Sequence, residues 1–195
     1  MNKAVSILKS EHRSISAVVS GLKDLARMAH DATSRPDFAV FRAMLRYIDE
    51  YPERLHHPKE DQYLFASLAK RYPGALPLIK ELEAEHVEGA KMVRDLERAL
   101  LFLEDRWPVG TREFRDAVDG YAQFHWNHMR KEEEKILPLC EAHLMEEDWD
   151  AIADAFAGNQ DPIADLREKD FQVLFSKIAS IAPAPVGLGE PWRRP

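Results

Sequence analysis

A short pattern of glutamate and histidine occurs twice along this chain of 195 residues, and the two copies are in register. The copies are Leu8-x-x-Glu11-His12 and Leu82-x-x-Glu85-His86, followed by His56-x-x-x-Glu60-Asp61 and His128-x-x-x-Glu132-Glu133. Self-similarity at a fixed spacing indicates structural units of the same kind. The repeat therefore predicts two similar halves that carry histidine and carboxylate at matching positions.

The spacing within each copy is that of one helical turn. Side chains four residues apart lie one above the other on the same face of an α-helix. A His-x-x-x-Glu pair can therefore reach one metal ion, or two adjacent ions, from an unbent helix. If each half is a helical hairpin, the two hairpins bring four histidines and two glutamates to one point. Two carboxylates able to bridge, with imidazoles at both ends, suit two ions of iron or manganese.

Composition and apolar spacing predict an all-α fold. Glycine is scarce, with eight residues, and apolar side chains recur at three- and four-residue intervals. The first helix is expected over about residues 3–30, and the next three are expected to end near Tyr72, Trp107 and His143. Four long helices with short connections predict an antiparallel up-down-up-down four-helix bundle over residues 1–145.

Residues 146–195 are expected to form a helical C-terminal extension that serves packing or a dimer contact. Asp148–Phe156 and Asp165–Ile181 have helical patterns, whereas Pro183–Pro195 is rich in proline and glycine and is expected to be extended. Inside the second helix, Pro52 and Pro58 remove backbone hydrogen-bond donors. A kink or bulge is therefore expected there.

Charge, cysteine content and hydropathy exclude several classes of protein. The net charge of −7 argues against a nucleic-acid partner, which needs a basic face. Cys140 is the only cysteine, so an intramolecular disulfide and a cysteine-based zinc site are excluded. No stretch approaches the roughly 20 apolar residues of a membrane span, and the N-terminal residues lack a signal peptide's apolar run. We therefore expect a soluble, cytoplasmic protein without a membrane partner.

The motifs resemble those of the hemerythrin-like (HHE cation-binding) family over about residues 5–145. The resemblance rests on the two Glu-His pairs, on His56-His57-Pro58-Lys59-Glu60-Asp61 with Leu64-Phe65, and on His128-x-x-x-Glu132-Glu133 with Leu137-Pro138. It implies a centre of two iron ions, for which zinc or manganese can substitute. The ligands that it implies are His12, His56, His86 and His128, with Glu60 and Glu132 as bridges.

The sequence departs from the oxygen-carrying members of this family at two positions. Those proteins have a fifth histidine one turn after the first ligand of the third helix, where this chain has Ala90. They take the last carboxylate from an aspartate five residues after its histidine, whereas this chain has Glu132 four residues and Glu133 five residues after His128. These departures favour a more open, reactive or sensing site over reversible oxygen carriage.

The resemblance implies two classes of function, and the ligands alone do not separate them. The first is a protein that binds or senses oxygen, nitric oxide or iron. The second is an enzyme that decomposes peroxide or protects against oxidative stress, and a module for metal storage is a further alternative. The expected partner is a small diatomic ligand or peroxide, and a homodimer is compatible with the sequence.

His57 competes with His56 for the role of ligand. The repeat favours His56, because His56 matches His128 whereas the position that matches His57 is Met129. The proline at position 58 also disfavours a helical backbone at the residue before it. We therefore expect His56 to be the ligand.

Other polar residues beside the candidate ligands have several interpretations. Asp61 and Glu133 are expected to accept hydrogen bonds from ligands or to face water. Glu11 and Glu85 are expected to face solvent or a neighbouring helix. His125 is expected to make a structural hydrogen bond, with proton donation as the alternative.

Overall fold

The computed structural model describes residues 2–32, 34–157, 180–184 and 186–188, and these ranges contain helices and no β-strand. The α-helices are α1 (Lys3–Asp31), α2 (Phe38–Ile48), α3 (His57–Lys59), α4 (Ala66–Arg71), α5 (Leu76–Arg106), α6 (Thr111–Lys131), α7 (Leu137–His143) and α8 (Glu146–Ala157). Between them lie the π-helical stretches π1 (Asp49–His56), π2 (Glu60–Phe65) and π3 (Glu132–Ile136), and the 3₁₀ turn Pro73–Ala75. The expected all-α class is confirmed.

The helix boundaries follow capping residues in the sequence. Asn2 and Asp37 each accept a hydrogen bond from the backbone N–H two residues further on, and they begin α1 and α2. Gly110 precedes α6 with a φ of 93°, a left-handed conformation that glycine adopts without steric cost. The helix ends expected near residues 30, 72, 107 and 143 each lie within one residue of the observed ends.

Residues 38–71 form one long helical segment whose middle is largely wound as π-helix. Pro52 lies inside π1, and Pro58 lies in α3 just before π2. Proline has no N–H, so the α-helical hydrogen bond to the fourth preceding carbonyl cannot form at either residue. The N–H of His57 instead donates to the carbonyl of Pro52, five residues back, which is the π-helical pattern. The expected bulge is therefore present.

The buried apolar side chains form two clusters, and a polar layer separates them. In α1, Leu8 belongs to one cluster and Ile15 to the other, and the buried His12 lies between them. The same order holds along α5, where the buried His86 lies between the clusters. Residues 38–71 and the segment from α6 to α7 also cross from one cluster to the other. The histidine-bearing turns of all four long segments therefore meet at one level.

Helix α8 covers the apolar cluster that contains the first turns of α1. Trp149, Ile152 and Phe156 are buried in that cluster. The guanidinium of Arg71 at the end of α4 donates from Nε to Oδ2 of Asp148 at 2.7 Å and so joins α8 to the second helical segment. The helical pattern at Asp148–Phe156 is part of α8.

Two expectations about the C-terminal part fall largely on residues that are not described. Only the last two residues of the helical pattern at Asp165–Ile181, and five residues of the tail Pro183–Pro195, belong to the described ranges; the rest lies outside them. Among the helices in those ranges, none combines the length and the apolar character that crossing a membrane requires.

Candidate metal centre

Two glutamates lie at the centre of the polar layer. Glu60 is the first residue of π2 and Glu132 the first residue of π3, and their exposed fractions are 0% and 1%. None of their four carboxylate oxygens has a hydrogen-bond partner among the described residues. Burying a carboxylate without compensation costs several kcal/mol, so these oxygens require a positive charge close by.

Four histidines direct their Nε2 atoms toward these oxygens. The Nε2–Oε distances are 3.5 Å for His12–Glu60 and for His12–Glu132, 3.2 Å for His56–Glu60, 3.6 Å for His86–Glu60, 3.8 Å for His86–Glu132 and 3.2 Å for His128–Glu132. These contacts are close enough for strong charge interactions but lack hydrogen-bond geometry. The structure thus brings together all six residues that the sequence singles out.

Each glutamate presents one oxygen to each pair of histidines. Oε1 of Glu60 lies closest to His12 and His56, whereas its Oε2 lies closest to His86. In Glu132 the oxygens divide in the opposite order, because Oε2 lies near His12 and Oε1 near His86 and His128. The Nε2 atoms of His86 and His128 are 3.1 Å apart, so they point into the same space.

A further carboxylate holds the outward-facing Nδ1 of each of these histidines. The Nδ1–oxygen distances are 2.9 Å for His12–Glu133, 2.7 Å for His56–Glu11, 2.8 Å for His86–Asp61 and 3.0 Å for His128–Glu85. An ionised carboxylate only accepts, so Nδ1 donates and Nε2 is the nitrogen available in the centre. A histidine that binds metal with one nitrogen and donates to a carboxylate with the other is the usual arrangement in metal sites.

In the absence of metal, the charges of this layer favour protonated histidines. Burial lowers the pKa of each of the four imidazoles, but the surrounding carboxylates outweigh burial. The pKa rises to about 10 for His12 and His86 and to about 9 for His56 and His128. Burial alone would raise the pKa of Glu132, yet the neighbouring histidines hold that pKa well below its usual range. A bound cation would replace the imidazole protons as the positive charge that neutralises the two glutamates.

The donor atoms fit metal cations. In the described part of the chain, two groups each have ligand atoms within 4.8 Å of one another: the group His12, His56 and Glu60, and the group His57, Glu60, His86 and His128. Imidazole and carboxylate donors without thiolate suit iron, manganese or zinc. The buried carboxylate oxygens without hydrogen bonds supply the negative charge that such ions need.

More buried polar side chains lie beside this centre. The ring of His57 stacks on that of His86, with centroids 4.2 Å apart and planes 9° apart. Nδ1 of His57 is 3.3 Å from Oε2 of Glu53, and the Tyr121 hydroxyl is 3.5 Å from Oε1 of the same carboxylate. His125 is also buried, and its Nε2 has no hydrogen-bond partner among the described residues. His57 and His125 therefore differ, because only His57 is held by a carboxylate in the contacts seen here.

Burial dominates the protonation of this neighbouring group. Burial, reinforced by the charge of the nearby histidines, lowers the pKa of His57 well below its usual range. Burial also lowers the pKa of His125 to about 3 and raises that of Glu53 to about 7. Both imidazoles are therefore neutral at pH 7.

Three features of this site differ from the expectations or were missed. Glu11 and Glu85 do not merely face a neighbouring helix, because each accepts a hydrogen bond from a candidate ligand there. The sequence did contain a signal for this role of Glu11 and Glu85, because the whole Glu-His pair is repeated and not histidine alone.

The backbone of His57 also differs from the expectation. His57 is helical, with φ −57° and ψ −43°, although it precedes proline. Nothing in the sequence repeat indicated that Glu53 would contact His57. The expected acceptor roles of Asp61 and Glu133 agree with the structure.

The chain is similar to a known family of cation-binding proteins. No curated protein gives a significant match to the chain. A profile of the hemerythrin HHE cation-binding domain matches residues 3–140. That match covers most of the chain and includes all candidate ligands and the carboxylates that hold them. This chain therefore belongs to the hemerythrin HHE cation-binding domain family.

Proposed function

We propose that this protein is a non-haem di-iron protein that binds or reacts with oxygen, peroxide or nitric oxide, in oxygen or iron sensing or in defence against oxidative stress. One observation carries the proposal: Glu60 and Glu132 each turn one oxygen toward His12 and the other toward His86. A carboxylate placed between two groups of imidazoles is suited to bridging two ions. Membership of a cation-binding family supports a metal centre, and the imidazole–carboxylate donor set suits iron.

The histidines divide between the two proposed ions. His12 and His56 would hold one ion and His86 and His128 the other, with Glu60 and Glu132 as bridges. When bound, the iron pair supplies redox chemistry and a Lewis-acidic position for a small ligand. The outer carboxylates keep the proton on each Nδ1, and this orients each Nε2 toward the centre.

A cavity of about 300 Å³ beside His12 supports access of a small molecule. Its lining includes Arg13, Ser16, Arg130 and Glu133, so polar and charged side chains surround the entrance. Oxygen, nitric oxide and peroxide are small enough for such an opening. The cavity reaches the His12 side of the centre, where we expect exogenous ligands to enter.

Peroxide decomposition is the second candidate function. The cavity beside His12 serves this function as it serves the first, because both require a small molecule to reach the centre. The two candidates differ in a simple measurement. An enzyme consumes many equivalents of peroxide per iron pair, whereas a sensor or binding protein changes its spectrum and consumes about one.

We also propose that residues 1–145 form an antiparallel up-down-up-down bundle, with residues 146–195 as an extension. Contacts join α1 to α2 and α6, and α5 to α2 and α6, so each of these helices borders two others. Short connections between consecutive long segments support the antiparallel order. A cytoplasmic location and a homodimer stay predictions from the sequence.

Metal analysis of protein purified from iron-replete cells tests the di-iron proposal. We expect two iron ions per chain and near-ultraviolet charge-transfer bands, which zinc cannot produce. Glu60→Ala should lose both the metal and the bands, whereas His30→Ala, at the end of α1, should keep both. A single ion per chain, or a colourless protein that contains zinc, would show that the proposal is wrong.

A further inference from the structure

We propose that His57 is an additional metal ligand, through its Nε2, for the ion held by His86 and His128. This inference rests on the proposed function and extends it. The repeat that identifies the other four histidines contains no counterpart of His57, since Met129 stands at the matching position. The assignment therefore comes from the structure.

The ring of His57 lies among the candidate ligands. His57 is 4% exposed, and one of its nitrogens belongs with Glu60, His86 and His128 to a group whose ligand atoms lie within 4.8 Å of one another. Glu53 engages Nδ1, so Nε2 is the nitrogen left for metal. His57 thus lies on the side of the centre that carries His86 and His128.

The other nitrogen of His57 contacts a carboxylate, as it does in the candidate ligands. All four candidate ligand histidines have Nδ1 within 3.0 Å of a carboxylate oxygen. His57 has the same kind of partner, because its Nδ1 lies 3.3 Å from Glu53. His125 provides the contrast, since this buried imidazole has no carboxylate contact of this kind in the described part of the protein. His57 therefore shares the arrangement of the ligands, and His125 does not.

Helix α5 leaves space for the Glu53 carboxylate. A Cβ added at Gly89 would lie 3.3 Å from Oε1 of Glu53, which is tighter than ordinary contact between such atoms. Glycine at this position lets the carboxylate lie against α5 and hold His57. Glu53 therefore holds His57 from one turn earlier in the same segment, in space that Gly89 of α5 leaves open.

Metal binding by His57 requires its ring to rotate relative to that of His86. An imidazole lone pair lies in the plane of the ring, and the planes of His57 and His86 are only 9° apart in the stacked pair. Two rings in parallel planes cannot both direct a lone pair at one ion. We therefore expect the angle between the two ring planes to increase when metal binds, while the hydrogen bond to Glu53 holds Nδ1 of His57.

Paramagnetic proton NMR of the fully reduced di-iron protein tests this inference. Each ligand imidazole contributes one strongly shifted Nδ1–H signal that disappears in deuterium oxide. We expect five such signals in the unchanged protein and four in His57→Gln, with His30→Ala keeping five as the matched control. Glu53→Gln should displace one of the five signals and leave the others in place, and it keeps the His57 ring if His57→Gln does not fold.

The outcomes separate this inference from the di-iron proposal. Four exchangeable shifted signals in the unchanged protein, all retained in His57→Gln, would show that His57 only packs against His86. Five signals that persist in His57→Gln would assign the fifth to another histidine and would also overturn the inference. Protein that binds no iron, and gives no shifted signals, would instead contradict the proposed function itself.

Discussion

Glu11 accepts a hydrogen bond from Nδ1 of His56 at 2.7 Å, although its neighbour in the sequence is the candidate ligand His12. The second half of the chain repeats this relationship, because Glu85 precedes His86 and accepts from Nδ1 of His128 at 3.0 Å. Each Glu-His pair therefore serves two helices. Its histidine enters the polar layer from its own helix, and its glutamate holds the histidine of the next segment.

Replacing either of these glutamates should weaken metal binding without abolishing it. Glutamine keeps the size of Glu11 or Glu85 and an oxygen that accepts, but it removes the charge that orients and polarises the imidazole. We expect each Glu→Gln variant to lower metal affinity by about 10-fold or more, the range found for such partners. Competition with a chelator measures the change. Glu83→Gln, on an exposed position of α5, is the control.

Equal affinity of all three variants would mean that these hydrogen bonds do not position the ligands. A loss of metal affinity confined to Glu85→Gln would mean that the two halves of the centre depend on these hydrogen bonds to different degrees. Lys131 donates to Glu85 but has no counterpart on Glu11 in the contacts seen here, so the two halves need not respond equally.

The sequence was sufficient to predict the helices and the six central residues. Apolar spacing in α1 and α5 locates the buried face, and His12 and His86 lie on that face. The His-x-x-x-Glu spacing then places His56 with Glu60, and the structure has these side chains 3.2 Å apart. Periodicity succeeds here because both residues of the pair belong to one helical segment.

Contacts between segments could not be predicted in the same way. Spacing shows which residues share a face, but it does not show which residue of the next helix they meet, so the bond from His56 to Glu11 was missed. The sequence favoured His56 over His57, and the approach of both rings to the centre was not predicted for a second reason. One residue turns an α-helix by about 100°, which would carry His57 away from the face of His56. The segment is π-helical up to His56, with more residues per turn, and this reduces the angle between them.

Glu132→Ala should remove bound metal and lower the melting temperature of the metal-loaded protein. The variant loses one of the two carboxylates at the centre, and metal that binds only the folded state stabilises that state. At a free metal concentration 100 times the Kd, this contribution is about 2.7 kcal/mol. Thermal unfolding with and without added iron measures it. His30→Ala should keep the metal-dependent shift, and full metal occupancy in Glu132→Ala would contradict a bridging role.

Metal binding should release protons and should strengthen as the pH rises. The pKa of about 9 to 10 at His12, His56, His86 and His128 means that these rings carry a proton at pH 7 before metal binds. A ligand imidazole has to be neutral at Nε2, so each proton competes with the metal. Raising the pH toward 9 weakens this competition and increases the affinity for metal. His57 releases no proton, because its pKa is already low.

Calorimetric titration at pH 7 in two buffers of different ionisation enthalpy counts the protons. We expect about four per chain, one from each raised imidazole, as linkage between metal and proton binding requires. The affinity measured at pH 6 should be lower than at pH 8. Binding without proton release would mean that the four rings are neutral in the metal-free protein.

Charge at the cavity beside His12 should control the entry of anions. The lining carries Arg13 and Arg130 against Glu133 and Glu134, so the opposite charges nearly cancel. Arg13→Glu makes this lining negative and should slow azide binding to the oxidised di-iron protein several-fold at low ionic strength. Because salt screens exposed charges, the difference should shrink at 0.5 M salt, where the screening length is below about 8 Å. Stopped-flow absorbance measures the rate.

Arg98→Glu is the control, because it makes the same exchange at an exposed residue of α5 outside that lining and should leave the rate unchanged. Equal rates for both variants and the unchanged protein would exclude this cavity as the entrance.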